Sequence, residues 1–174
     1  MIEPLTAATF PDARDELAEI LHACVQAGAS VGFVLPFTLD RARAFWDGVG
    51  ASLALGQRHV LVARLDGRIA GTAQIIFAPQ DNARHRAEVA KVLVHPRARR
   101  QGIASALMRA AETAARQRGL RLLVLDTATG SEAEPLYQAL GFVPTGIVPN
   151  YSQGTAGGFV ASTFMHKELI ADAG

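Results

Sequence analysis

The chain has 174 residues, of which 49% are hydrophobic and 19% are charged, and its formal net charge is +1. This length and hydrophobic content are typical of one domain with a sizeable core, and they exclude an intrinsically disordered chain. The small net charge gives no indication of a nucleic-acid partner, and no apolar run is long enough to span a bilayer. With one cysteine and no apolar leader, the sequence predicts a single domain over residues 1–174, located in the cytoplasm and without a membrane partner.

The N-terminal half predicts an edge strand, two helices and a hairpin. Apolar residues recur at helical spacing after Pro11-Asp12, and Gly28 ends this helix. Asp66-Gly67 is a strong signal for a two-residue hairpin turn between two apolar segments. The predicted elements are a strand within residues 1–7, helices from 11 to 28 and from about 38 to 55, and strands at 60–65 and 69–77.

The C-terminal half predicts strands that alternate with helices. The run Glu88–Val94 has strand character, and the helix that follows, from 102 to about 118, is ended by Gly119. Pro135 lies early in the next helical segment and removes a hydrogen bond, so the first turn of that helix is expected later than Ser131. The remaining predicted elements are a strand at 120–126, a helix at 131–140, and strands at 142–148 and 160–167.

The stretch from Val92 to Ser105 joins an apolar strand to a basic loop and to the start of a helix. At a helix start the first backbone N–H groups have no partner within the helix, and the helix dipole adds positive character. The N–H groups of about Arg100 to Ser105 are therefore expected to bind a pyrophosphate, and the small residues Gly102 and Ala104 let phosphate oxygens approach the backbone. The alternative is that the arginines here belong to a solvated loop.

Two other anion-binding motifs do not fit this loop. A P-loop requires a Gly-Lys pair, which the chain lacks, and a dinucleotide fingerprint requires Gly-x-Gly-x-x-Gly, whereas this loop has one glycine. The segment Arg99-Arg100-Gln101-Gly102-Ile103-Ala104 fits the pattern Gln/Arg-x-x-Gly-x-Gly/Ala instead. Here the sequence resembles the GNAT superfamily of acyl-CoA-dependent N-acetyltransferases, in which this loop holds the CoA pyrophosphate.

The resemblance implies an α/β (α+β) fold with a mixed central sheet of about seven strands, flanked by about four helices. In this fold two central strands splay apart, and the pantetheine of acetyl-CoA lies in the cleft between them, bonded to main-chain groups as a missing strand would be. Acetyl-CoA is the implied co-substrate, and no metal is implied. The expected contacts are Val92, Leu93 and Val94 to the pantetheine, and Arg99, Arg100, Gln101, Gly102, Ile103, Ala104 and Ser105 to the pyrophosphate.

Acetyl transfer to an amine requires a base, because an alkylammonium with a pKa of roughly 10 is not a nucleophile near neutral pH. Glu88 and Asp126 compete for this role. Strand alternation places Glu88, Ala90 and Val92 on one face unless a bulge intervenes. The alternatives are that Glu88 is an exposed residue at the start of a strand and that Asp126 is a turn residue capping Thr127.

Tyr137 lies in the predicted helix after Asp126. Many GNAT enzymes have a tyrosine at the corresponding place that acts as general acid, and the resemblance implies that Tyr137 protonates the departing thiolate. The alternative is a packing aromatic residue. The expected donor to the oxyanion is a backbone N–H near Leu93 or Val94.

A narrower resemblance is to the subfamily of tabtoxin-resistance acetyltransferases, whose substrate is a β-lactam amino acid. It implies that Glu88, Asp126 and Tyr137 are the catalytic set and that Ser30 and Phe33 contact the acceptor. The segments that show this narrower resemblance are Gly28-Ala-Ser-Val-Gly-Phe33, Ala87-Glu88-Val89 with Lys91, Leu125-Asp126-Thr127 with Gly130-Ser131, and Pro149-x-Tyr151.

The sequence therefore predicts an acetyl-CoA-dependent N-acetyltransferase that acts by direct attack of a small primary amine, including an amino-acid-like or β-lactam antibiotic or toxin. Cys24 lies in the apolar stripe of a predicted helix, where a buried, inert thiol is expected, and the histidines show no metal-ligand spacing. The alternatives are acetylation of a protein N-terminus or lysine and a silent acyl-CoA-binding module. The oligomeric state stays open, with a homodimer compatible with the sequence.

Overall fold

A computed structural model describes residues 1–169, so residues 170–174 of the predicted domain lie outside the described residues. A seven-stranded mixed sheet with strand order β1-β2-β3-β4-β5-β7-β6 runs through the molecule. All neighbouring strands are antiparallel except β4 and β5. The strands are β1 (Ile2–Leu5), β2 (Arg58–Leu65), β3 (Arg68–Phe77), β4 (Arg86–Val94), β5 (Leu122–Ala128), β6 (Val143–Gln153) and β7 (Phe159–Glu168).

Four α-helices flank the sheet, as predicted, and none of them in the described part of the chain is long and apolar enough to cross a membrane. A short 3₁₀ turn follows β4 at Pro96–Ala98. The helices are α1 (Phe10–Gln26), α2 (Leu39–Ala54), α3 (Ile103–Gln117) and α4 (Ala133–Ala139).

Several element ends follow from local chemistry. Asp66 and Gly67 have φ angles of 50° and 81°, the left-handed pair that a two-residue hairpin turn requires, so the predicted hairpin is confirmed. Helix α4 begins at Ala133 rather than Ser131, because Pro135 is tolerated only in the first turn, where its missing N–H would have no intrahelical acceptor. Strand β6 is longer than predicted and continues to Gln153.

The two faces of the sheet carry separate hydrophobic cores. Helices α1 and α2 cover one face, called here the α1–α2 face, and helices α3 and α4 cover the other, called here the α3 face. Each buried Val, Leu or Ile side chain contributes about 1.5–3 kcal/mol to folding. Strand residues buried on the α1–α2 face include Val60, Val62, Ile69 and Leu93, and those on the α3 face include Leu61, Ala73, Ile75, Val89, Leu123 and Leu125.

Gly71 allows α3 to pack closely against the centre of the sheet. A Cβ at this position would lie 2.9 Å from the carbonyl oxygen of Leu93, 3.0 Å from Cγ2 of Ile103 and 3.2 Å from Cδ1 of Leu107. Only glycine leaves room for these contacts. The first turn of α3 is thereby held against the end of β4.

Candidate active site

Strands β4 and β5 separate after a short paired segment. Their parallel ladder contains three residue pairs, and the last joins Glu88 to Val124. Beyond it β4 continues to Val94 and β5 to Ala128 without pairing to each other. The predicted splay of the central strands is therefore confirmed, and it leaves a gap with unpaired main-chain edges on both sides.

A β-bulge lies on β4 at the start of this gap. Thr72 of β3 faces Leu93, whereas Gln74 faces Ala90, so the residues between them on β4 outnumber those on β3 by one. Lys91 lies in this bulge and has a φ angle of 50°, which is unusual for a residue with a side chain. The bulge re-aims every side chain that follows it.

The bulge determines which side chains of β4 share a face. Val92 packs in the same core as Ala87 and Val89, on the α3 face, whereas Glu88 and Ala90 alternate with that pair and face α1 and α2. Glu88 and Ala90 therefore do not share a face with Val92: the bulge that the sequence analysis named as the exception is present, and its extra residue reverses the alternation.

The main chain of β4 also alternates in direction. The N–H of His95 donates to the carbonyl oxygen of Ala70 in β3, at 2.9 Å. In an antiparallel ladder this places the main-chain groups of Leu93 toward β3 as well, and turns those of Val92 and Val94 away from β3, toward the gap.

The start of α3 presents backbone donors without acceptors. Within residues 1–169, no N–H group from residue 100 to residue 105 donates to another protein atom, and the first such bond runs from Ala106 to Gly102. Arg100 and Gly102 both have left-handed φ angles, of 65° and 76°. A Cβ on Gly102 would meet nothing within 4 Å, so the space beside this glycine is open.

Positive charge surrounds the same helix start. Arg97, Arg99 and Arg100 are exposed, and none of them forms an ion pair with a carboxylate of the described residues. The first turn of α3 contains no acidic residue. Unpartnered N–H groups, the helix dipole and these guanidinium groups together suit a multiply charged oxyanion.

Glu88 and Asp126 lie on the α1–α2 face on either side of the gap, and both are exposed. Neither carboxylate forms a hydrogen bond or ion pair with another described residue. The alternative role for Asp126, a turn residue capping Thr127, is not observed, because Asp126 lies inside β5 and its carboxylate accepts no hydrogen bond from a described residue. Both carboxylates are therefore available to a bound molecule.

Tyr137 lies on α4, on the α3 face, and is 8% exposed. Its ring centroid is 6.1 Å from that of Phe142, so it packs in the core as the alternative reading expects. Burial, reinforced by the charge of Asp126, raises the pKa of the Tyr137 hydroxyl to about 12. The phenol is consequently protonated at neutral pH and lies within electrostatic reach of Asp126.

Lys91 is a site residue that the sequence reasoning did not assign to a role. Its Nζ is 5.7 Å from the centroid of the Phe45 ring on α2, and a Cβ on Gly32 would lie 3.7 Å from that atom. Burial lowers the pKa of the Lys91 ammonium, while the charges of Glu88 and Asp126 act in the opposite direction. The signal in the sequence is a single charged residue in the otherwise apolar run 89–94.

Arg58 and Gln74 were missed as well. The Arg58 guanidinium donates to Oε1 of Gln74 at 2.7 Å and to the Ser52 hydroxyl at 2.9 Å. Gln74 is fully buried, and its Nε2 has no hydrogen-bond partner among the described residues. Burial lowers the pKa of Arg58, and the charge of Glu88 opposes this change, so these groups share one electrostatic environment.

The structure brings Phe33 to the site but leaves Ser30 at its surface. The Phe33 ring packs against Phe37 at 4.6 Å and edge-on against Phe45 at 5.3 Å, next to the Lys91 ammonium. Ser30, in the same α1–α2 connection, is exposed and makes no hydrogen bond to another described residue.

The β6–β7 connection is fastened to the α1–α2 connection. The Thr155 hydroxyl donates to the carbonyl oxygen of Ala29 at 3.0 Å, and the Leu35 N–H donates to the Thr155 carbonyl at 2.9 Å. On β7, Phe164 lies opposite Asp126 and makes an edge-on contact with a neighbouring β6 aromatic ring at 5.0 Å. These contacts bound the α1–α2 side of the gap.

The remaining candidates for chemistry contribute little. Cys24 is buried as predicted, its thiol donates to the Val94 carbonyl at 3.4 Å, and burial raises its pKa. Such a thiol is a poor nucleophile. Among residues 1–169, no group of three or more His, Cys, Asp or Glu side chains is arranged to hold a metal ion.

A mixed sheet whose β4 and β5 diverge beside a helix start with unpartnered N–H groups defines a protein class. The chain belongs to the acetyltransferase (GNAT) family, which residues 15–142 match. It is 34% identical over 122 residues to an uncharacterized N-acetyltransferase in the hisH-hisA intergenic region of Azospirillum brasilense, covering 69% of this chain and 71% of the relative.

Solved structures show the same fold. Ribosomal-protein-alanine N-acetyltransferase from Brucella melitensis is 25% identical, with a TM-score of 0.78 over 97% of this chain and 99% of its own. The putative acetyltransferase yncA from Salmonella typhimurium, solved with its cofactor acetyl-CoA, is 24% identical, with a TM-score of 0.78 over 100% of this chain and 96% of its own. The predicted fold class and the prediction of a GNAT-type N-acetyltransferase are confirmed.

Proposed function

We propose that this enzyme transfers an acetyl group from acetyl-CoA to the primary amine of a small molecule, by direct attack in a ternary complex, and that it does so in the cytoplasm. The observation that carries the proposal is the end of the β4–β5 ladder at Glu88. It opens a gap that runs from the donors at the start of α3 to two unpaired carboxylates.

The cofactor side of the proposal rests on the main-chain geometry. The pyrophosphate of acetyl-CoA would be held by N–H groups of residues 100–105 and by neighbouring arginines, from Arg99 onward. The pantetheine would bond to main-chain groups of β4. The alternation of that strand favours Val92 and Val94 over Leu93 as contacts, and the N–H of Val94 as the donor to the oxyanion.

The chemical step follows from the groups around the gap. The amine nitrogen forms a bond to the thioester carbon, and the carbon–sulfur bond breaks. Glu88 or Asp126 accepts the proton that the ammonium must lose before attack, and Tyr137 donates a proton to the departing thiolate. The second proton, which the nitrogen loses as the amide forms, returns to the Tyr137 phenolate directly or through solvent. Direct transfer is favoured because the chain's one cysteine, Cys24, is buried and hydrogen-bonded, so no acyl-enzyme thiol is available.

A small acceptor is favoured because the α1–α2 and β6–β7 connections contact each other over the α1–α2 face. The bonds of Thr155 to the α1–α2 connection close one end of that region, and the aromatic residues Phe33 and Phe45 line it. An amino-acid-like acceptor, including a β-lactam toxin, is supported by the motif resemblance to tabtoxin-resistance acetyltransferases. The name of the Brucella relative supports a second candidate, acetylation of a protein N-terminal alanine.

The test is release of free CoA thiol from acetyl-CoA in the presence of panels of simple amines, amino acids, amino-acid antibiotics and peptides with N-terminal alanine. Thiol release with small amines, absent from a Glu88→Gln, Asp126→Asn double variant, supports the proposal. Release with the peptides alone supports the protein-directed alternative. Tight acetyl-CoA binding without thiol release from any acceptor would identify a silent acyl-CoA-binding module.

A further inference from the structure

Lys91 holds a positive charge in a place where no described residue forms a direct hydrogen bond or ion pair with it. Its ammonium makes no hydrogen bond or ion pair within residues 1–169. It lies 5.7 Å from the centroid of the Phe45 ring, and a Cβ on Gly32 would be 3.7 Å from it. A charged group withdrawn from water without an oxygen partner is costly unless a ligand supplies one. The left-handed φ of 50° at Lys91 is a second local cost, and the β4 bulge imposes it.

Four charges share this part of the α1–α2 face. The carboxylates of Glu88 and Asp126 act on Lys91 electrostatically, and so does the guanidinium of Arg58. Arg58 is fixed in place by the fully buried Gln74. Two positive and two negative groups therefore lie within electrostatic reach of Lys91 and balance one another. A cationic amine bound here would add an unmatched positive charge, whereas a zwitterion would add none.

We propose that Lys91 binds a carboxylate of the acceptor and that the guanidinium of Arg58 adds positive charge to the same region. The substrate class is then a zwitterionic α-amino acid or a close analogue. The ammonium end of such an acceptor matches the carboxylates of Glu88 and Asp126, and its carboxylate matches Lys91. The inference rests on the proposed function and deepens it by naming the group that the pocket recognises.

The wild-type enzyme provides the first test. Free α-amino acids, their neutral amides and the corresponding decarboxylated amines are compared as acceptors by steady-state kinetics. The KM for the free acid is expected to be lower than for the amide or amine by about 10-fold or more, because a charge-assisted hydrogen bond is lost in the other two. Equal KM values across the three series would overturn the inference and leave the proposed function intact.

The second test separates recognition from a general structural role. Lys91→Met removes the charge and keeps most of the side-chain volume, and Lys91→Arg keeps the charge. The ratio of kcat/KM for acid over amide is expected to fall about 10- to 100-fold in Lys91→Met and to be largely retained in Lys91→Arg. The intrinsic reactivity difference between acid and amide cancels, because both enzymes are compared on the same pair.

Arg109→Met is the matched control, since Arg109 is an exposed cation on α3, on the other side of the sheet. Its acid-to-amide ratio should equal that of the wild type. A proportional loss on acid and amide in Lys91→Met would assign Lys91 to scaffolding and reject the inference. Acetylation of none of the amines by the wild type would instead reject the proposed function, and with it the inference.

Discussion

Asp126 on β5 and Tyr137 on α4 lie on opposite faces of the sheet, yet the charge of Asp126 reinforces burial in raising the pKa of the Tyr137 hydroxyl to about 12. The two residues can influence each other because the sheet is open where β4 and β5 diverge. A carboxylate on one side of the gap and a protonated phenol on the other suit the base and the acid of the proposed acetyl transfer.

Tyr137→Phe should reduce turnover by about 10²-fold if the phenol is the general acid. The KM for the acceptor should change little, because Phe fills the same apolar volume. With a pKa of about 12, the phenol stays protonated below pH 11, so the loss should be uniform across neutral and moderately alkaline pH. Steady-state kinetics over this range checks it, and full activity in the variant would reduce Tyr137 to a packing residue.

Glu88→Gln and Asp126→Asn should identify the base. The variant that lacks the true base should have a kcat lower than that of the wild type by about 10²-fold or more. Its affinity for acetyl-CoA should be nearly unchanged, because neither side chain is on the pyrophosphate side of the gap. Asp126→Asn should also lower the pKa of Tyr137, since it removes a charge that raises it. Ultraviolet titration in a Tyr151→Phe background follows this shift. Wild-type turnover by both variants at every pH would contradict the carboxylate mechanism.

Gly102→Ala should weaken acetyl-CoA binding by about 10-fold or more, because a Cβ would enter the open space beside this glycine, next to the N–H donors at the start of α3. Gly119→Ala is the matched control: it has nearly the same left-handed φ, 78° against 76°, and equally open surroundings, but lies at the other end of α3. Both variants should be destabilised by a similar amount, about 1 kcal/mol. Calorimetric titration with acetyl-CoA should distinguish them, and equal affinities would show that the loop does not hold the cofactor.

Gly71→Ala should destabilise the fold by about 1–3 kcal/mol, because its Cβ would lie 2.9 Å from a backbone oxygen that cannot move aside easily. Gly146→Ala, on exposed β6 with nothing within 4 Å of its Cβ, should change the free energy of unfolding little. Denaturant unfolding measures both. A Gly71→Ala protein as stable as the wild type would mean that α3 shifts readily on the sheet.

Short-range rules accounted for much of the fold. The Asp66-Gly67 turn and the late start of α4 before Pro135 were predictable, because each depends on the φ preference or missing donor of one or two residues. The same holds for the donors at the start of α3, which follow from Gly102 and the helix that begins after it.

The order of strands and helices, the basic loop before α3 and the candidate carboxylates could be predicted from local residue patterns. Which side chains meet depends on how the strands pair. Lys91 faces α2 because the ladder with β3 carries an extra residue on β4, and Arg58 joins the same region through a buried glutamine two strands from β5. Side-chain direction along a strand depends on register and bulges, which are set by pairing with distant segments, so local residue patterns cannot fix it.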